Sequence, residues 1–186
     1  MRKIFPLALI VLFLFSLVTT GRSFAKEDNI LSPSPTPITK IEYQLPYPGL
    51  LPGSPLYPLK KLRDKIIEVL TTDPLKKAEF YLLQSDKNLE TGVMLVNRGD
   101  GKTAESTISK GENYFEQAIS KIISAKEEQA NVDEVLGRMQ LSSMKHQEVI
   151  KDLMNKTKGE IKSGLRKSLK RSQDFEKRLD ELSPKK

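Results

Sequence analysis

Few residues in this chain have the types and spacing that chemistry needs. "VNRGDGKT", residues 96–103, ends in Gly-Lys-Thr as a phosphate-binding loop does. That loop also needs a glycine five positions before Gly101 and a strand leading into it, and the chain has Val96 there with no strand pattern upstream. Arg98-Gly99-Asp100 spells a cell-adhesion tripeptide, but a turn between helices favours the same residue types. His146 is the only histidine and there is no cysteine, so a transition-metal site would need carboxylates, and none stands at ligand spacing around it. His146 falls on an apolar helical stripe, where a half-buried histidine with a hydrogen-bond partner is expected. Met94, Met139, Met144 and Met154 have the spacing of core filler. Glu127 with Glu128 and Asp180 with Glu181 lie on expected solvent faces, without the apolar setting that raises a carboxyl pKa for acid catalysis. No nucleophile elbow or Ser-His-Asp grouping is present. The expectation is a protein that is not an enzyme, with no catalytic residue, cofactor, metal or small-molecule substrate.

The densest charge lies near the C-terminus. Lys156, Lys158, Lys162, Arg166, Lys167, Lys170 and Arg171 meet only Glu160 over that stretch, while Ile161, Leu165 and Leu169 hold one helical face. Such a segment is suited to an anionic membrane or an acidic wall polymer, or to pairing with a second copy of itself. A solvated face is the plainer reading of the same run. Nucleic acid is not expected, because Phe175 is the one aromatic nearby and bases would have nothing to stack on.

The elements that carry these residues are helices. Leu59, Leu62, Ile66, Val69 and Leu70 recur at steps of three and four behind Ser54 and Pro55, which gives a short helix over about 55–71 with Ser54 as cap. Asp73 caps a second helix from Pro74 to about Asn97, with Leu75, Ala78, Leu82, Ser85, Leu89, Val93 and Val96 on one face. "NRGDGK" is the following turn. The third helix, about 102–129, has the near-heptad, coiled-coil-like stripe Ala104, Ile108, Gly111, Phe115, Ala118, Ile122 and Ala125. Asn131 and Glu134 resemble a capping box opening a fourth helix. Its stripe of Val132, Leu136, Met139, Ser143, His146, Ile150, Leu153 and Thr157 continues through Ile161, Leu165, Leu169, Phe175, Leu179 and Leu182. Unbroken, that helix would be about 76 Å long and would outrun its partners. Either it bends where Gly159 and Gly164 weaken it, or a basic stem (156–171) projects. No segment alternates with period two. The fold class is all-α: an antiparallel bundle of three long helices plus one short N-terminal helix, with the long C-terminal helix overhanging. Helices side by side leave little room for a deep pocket.

Arg2 and Lys3 precede an apolar run from Ile4 to Val18, and Ser23 and Ala25 follow at the spacing a signal peptidase reads. Residues 1–25 are therefore expected to be a cleavable signal peptide, making the protein secreted or extracytoplasmic, and membrane-anchored if the signal stays uncut. With no cysteine, stability must come from packing alone. Residues 26–53 are a Pro/Ser/Thr-rich linker and strap, 54–182 the bundle domain and 183–186 a tail. Large apolar groups among the prolines predict a strap held on the bundle, with Tyr47, Leu51, Leu56 and Tyr57 contacting the first two helices.

The stretch "LPGSPLYPLKKLRDKIIEVLTTDPLKKAEFYLLQSDKNLE", residues 51–90, resembles the bacterial family known as domain of unknown function 5667. The resemblance rests on a proline-glycine lead, on Pro55, Tyr57 and Lys60 at the first helix, and on a short break with an acidic residue and Pro74. It implies an exported or membrane-tethered helical protein and transfers no catalytic residue. Two functions then stand side by side. The first is an uncharacterised, non-enzymatic structural or interaction protein of the cell envelope, whose partner is a protein, an anionic wall polymer or a membrane surface. The alternative is an extracytoplasmic holdase-type chaperone, against which stands the lack of repeated Leu-Thr-x-x-Gln motifs.

Overall fold

The computed structural model describes residues 40–183. The expected signal peptide (1–25), the linker up to residue 39 and tail residues 184–186 lie outside that range. Every regular element described is a helix: α1 Tyr57–Leu70, α2 Pro74–Asn97, α3 Gly101–Glu127, α4 Asp133–Lys156 and α5 Gly159–Leu182. None of them is long and apolar enough to cross a membrane.

Local chemistry sets most boundaries. The Asp73 side chain accepts a hydrogen bond from Lys76 N at 2.8 Å, and Pro74 needs no partner for its nitrogen, so α2 starts there. At its end Gly99 takes φ +82° and Asp100 N reaches back to Leu95 O at 2.9 Å, closing the helix before Asp100 caps α3. Two expected caps do not form. Leu56 rather than Ser54 is the residue before α1, because the chain first makes a turn in which Tyr57 N donates to Ser54 O. Asn131 accepts from Asp133 N, two residues on, so it closes a local turn instead of a capping box with Glu134.

The long fourth helix with its overhang is corrected. It is two helices, broken at Thr157–Lys158, where both residues are extended and Gly159 enters α5 at φ +58°, a conformation open to glycine. Beyond the break α5 runs back along α4, with Ser172 Oγ donating to Ser143 O and Gln140 Nε2 to Asp180 Oδ1. It also lies beside α3 in the same direction, from Gly101 near Ile161 to Lys126 Nζ donating to Leu182 O. Among the described residues the long helices therefore number four and no stem projects; of the two alternatives, the bend at Gly159 is the one found.

Two apolar clusters fill the bundle. One gathers Leu82, Phe115, Ile119, Met139, Phe175 and Leu179, and the other Leu89, Ile108, Ile150, Leu153 and Leu165. Phe115 and Phe175 stack at 4.9 Å. Burial of each such side chain contributes roughly 1.5–3 kcal/mol. In α2 and α3 the helices close tightly on glycines: a Cβ on Gly92 would come within 2.3 Å of Ile108, and one on Gly111 within 3.1 Å of Ser85 O.

Between the clusters lies a polar layer. Each long helix contributes to it: Ser85 and Asp86, Gly111 and Glu112, Ser142, Ser143 and His146, and Ser168 and Ser172. All of these are buried.

The strap is also corrected in detail. It does lie on the bundle, but through Ile41, Tyr43, Leu45 and Leu51. Ile41 N donates to Glu148 Oε2 at 3.0 Å, Leu45 packs against the second cluster and Leu51 is buried. Tyr47 and Leu56 are exposed, and Tyr57 is half-buried. Along 41–45 alternate residues turn inward, as an extended chain requires.

Candidate functional site

His146 sits at the centre of the polar layer. It is fully buried rather than half-buried, with Nδ1 at 3.0 Å from Glu112 Oε1 and Nε2 at 3.1 Å from Asp86 Oδ1. Phe115 meets the imidazole edge-on at 5.4 Å. Burial by itself pushes the imidazole pKa down, but the hydrogen bonds to Asp86 and Glu112 and the charges of both carboxylates raise it from 6.5 to about 9. The doubly protonated ring donates to both acids at once. Asp86 is saturated by its neighbours: Oδ1 also accepts from Ser142 Oγ at 2.6 Å, and Oδ2 accepts from Tyr43 OH at 2.5 Å. Burial, and then the Asp86 charge, drive the Tyr43 phenol well above its ordinary value, so it stays a donor. Glu112 Oε2 is left without a partner.

This constellation ties helices together and fixes the strap. Both imidazole nitrogens are committed to carboxylates, which leaves neither to serve a nucleophile. The sequence-based expectation of no buried carboxylates is overturned by Asp86 and Glu112. A signal for them existed. Asp86 stands four after Leu82 and three before Leu89, and Glu112 stands four after Ile108 and three before Phe115, so each shares a face with core residues. Among the described residues no group of His, Asp and Glu has the arrangement to hold a metal ion.

The second unusual region is α1. Its stripe of Leu59, Leu62, Ile66, Val69 and Leu70 was expected to pack, yet all five are exposed, from 51% for Ile66 to 74% for Leu70, and no residue of α1 is buried. The helix turns its polar side to the bundle. Glu68 Oε1 accepts from Tyr81 OH at 3.1 Å, and Tyr57, Lys60 and Asp64 are half-buried on the same side. Burial, then the Glu68 hydrogen bond, raises the Tyr81 phenol pKa to about 12. Beneath α1 lies a cleft of about 240 Å³ against α2 and α3, and a wider groove of about 820 Å³ runs beside the strap. Little room for a deep pocket was expected, and both spaces are open clefts at the surface of the bundle. They exist because α1 and the strap cover the long helices without filling the space under them.

Residues 49–160 match the family described as Domain of unknown function (DUF5667). The chain belongs to the DUF5667 family. No curated protein and no solved structure matches it. The DUF5667 match takes in α1 through α4 and therefore the whole Asp86–His146–Glu112 tie. It is wider than the resemblance read over 51–90, and it ends as α5 begins. Tyr43, which donates to the tie, lies ahead of the DUF5667 segment.

The basic residues expected to bind an anionic surface fall on α4, α5 and the bend between them. Lys156, Lys158, Arg166, Lys167 and Lys170 are exposed, and Lys162 is half-buried. Arg171 is taken up by α3, where it donates to Asn113 Oδ1 at 2.8 Å. The apolar face once assigned to the same surface is not free, since Leu165 is fully buried and Ile161 and Leu169 pack on the second cluster.

Proposed function

We propose that this is an exported, non-enzymatic interaction protein of the cell envelope that docks on an anionic membrane surface through α1. One observation carries the reading: a 14-residue amphipathic helix lies with its aliphatic stripe to solvent and its polar side to its own bundle. Water penalises that arrangement, and a lipid surface removes the penalty. Arg63 is exposed at the edge of the stripe, so charge complementarity favours anionic headgroups over neutral ones, at about 1 kcal/mol for each cation near the surface. The exposed cations of α5 add to the attraction at longer range.

The test is flotation of the purified protein with phosphatidylglycerol or phosphatidylcholine vesicles. Binding to the first, weakening as salt rises and lost in Leu62→Asp/Ile66→Asp, supports the reading. Equal binding by that variant contradicts it. Suppression of client aggregation that needs the same two residues, without vesicle binding, would replace it with the holdase-type chaperone.

A further inference from the structure

The polar side of α1 raises a separate question, because it gathers like charge. Lys60 and Lys61 on α1, Lys87 on α2 and Lys110 on α3 all line the cleft beneath the helix, together with Lys65. Two carboxylates also line it, and both are already matched: Arg63 Nη2 reaches Asp64 at 2.6 Å, and Lys65 Nζ reaches Glu68 at 3.1 Å. Among the described residues no carboxylate lies within ion-pair distance of Lys60, Lys61, Lys87 or Lys110. The ammonium of Lys60 feels this. Its pKa is lowered, first by burial and further by the charges of Lys87 and Arg63, with Asp64 opposing.

Other parts of the cleft are built to receive polar and ring-shaped matter. Gln84 is 7% exposed and lines the wall, and its side-chain amide makes no hydrogen bond to another described residue. Tyr57, Phe80 and Tyr114 supply flat apolar walls. A monovalent carboxylate would leave most of the unmatched positive charge in place, whereas one multiply charged oxyanion can meet several ammonium groups at once.

We propose that this cleft is a binding site for a soluble, phosphate-bearing anion of two or more charges, held between α1 and the bundle by Lys60, Lys87 and Lys110. Lys61 adds charge at the rim, Gln84 donates from the wall, and the aromatic rings face any sugar or polyol attached to the phosphate. A bound anion bridges α1 to α2 and α3. The residues lining the cleft come from the opposite side of α1 to Leu62 and Ile66, so a lipid headgroup beneath the apolar stripe does not reach it. The site is thus independent of the membrane reading, and either can fail alone.

Calorimetric titration with sodium pyrophosphate in constant ionic strength tests the proposal. One saturable site is expected, weakened at least tenfold in Lys87→Gln/Lys110→Gln and unchanged in Lys167→Gln/Lys170→Gln on α5. No saturable heat overturns it, as does equal weakening in both variants, which would mean diffuse attraction to a basic surface. A vesicle arm separates the two sources of phosphate. Flotation with phosphatidylglycerol should be unaffected by Lys87→Gln/Lys110→Gln, and its abolition by that variant would assign the cleft to a headgroup and overturn a soluble ligand.

Discussion

At the centre of the bundle two carboxylates and a histidine are shut away from water, whereas on α1 five large aliphatic side chains are open to it. The two regions break the same rule of burial in opposite directions, and what differs is whether the molecule itself supplies the remedy. Inside, Ser142, Tyr43 and the imidazole satisfy Asp86, and the charges of the tie offset one another in part. Outside, nothing in the described chain covers Leu59, Leu62 or Ile66. A defect met mostly from within, with only Glu112 Oε2 lacking a partner, is a structural device, and an apolar face left open to water points to something beyond the chain.

The comparison breaks most sharply at His146. Removing it as His146→Ala leaves two buried carboxylates without their cation, and urea unfolding should register a loss of about 3–5 kcal/mol. Replacing the whole tie, as Asp86→Leu/Glu112→Met/His146→Leu, should cost far less or even stabilise, because no buried charge is then left over. If the single variant is as stable as the parent, the tie is not what holds the layer.

A pH series sharpens the same point. The folded pKa of His146, about 9, lies above its ordinary value of 6.5. Its charge therefore adds stability that is fully present below pH 6.5 and is lost as the pH rises through about 9. The urea midpoint should fall across that window in the parent, and this fall should be absent from the triple variant. Next in size is Tyr43→Phe, which removes the strap's charge-assisted bond to Asp86 and should cost about 1.5–3 kcal/mol. Hydrogen exchange should quicken at residues 41–45 first. The smallest effect on stability is expected on α1. Ile66→Asp should alter the unfolding free energy by no more than about 0.5 kcal/mol, since that side chain is half exposed and supports no core. A large loss there would mean that α1 is packed after all.

The same contrast accounts for what could be read from the sequence. The stripes of α2, α3 and α4 were legible because helical periodicity assigns residues to a face, and in those helices the apolar face is the buried one. On α1 periodicity grouped Leu59, Leu62 and Ile66 correctly but carried no information about what would cover them. Asp86 and Glu112 sat in core register, yet a charged residue on a stripe reads by type as solvent-facing until its cation is found on another helix. The break before α5 was legible only as one of two alternatives, because Gly159 and Gly164 weaken the helix while Leu153, Thr157 and Ile161 still follow at steps of four. A straight helix and a hairpin share that phase, and the left-handed turn at Gly159 is the difference.

The membrane-docking account stands or falls on the state of α1 in the free protein. The chain has no tryptophan, so Leu62→Trp places a single reporter on the aliphatic stripe. The account predicts emission typical of a water-exposed indole for the protein alone, moving to shorter wavelength when phosphatidylglycerol vesicles are added. Short-wavelength emission before any vesicle is present, or no movement afterwards, would contradict it.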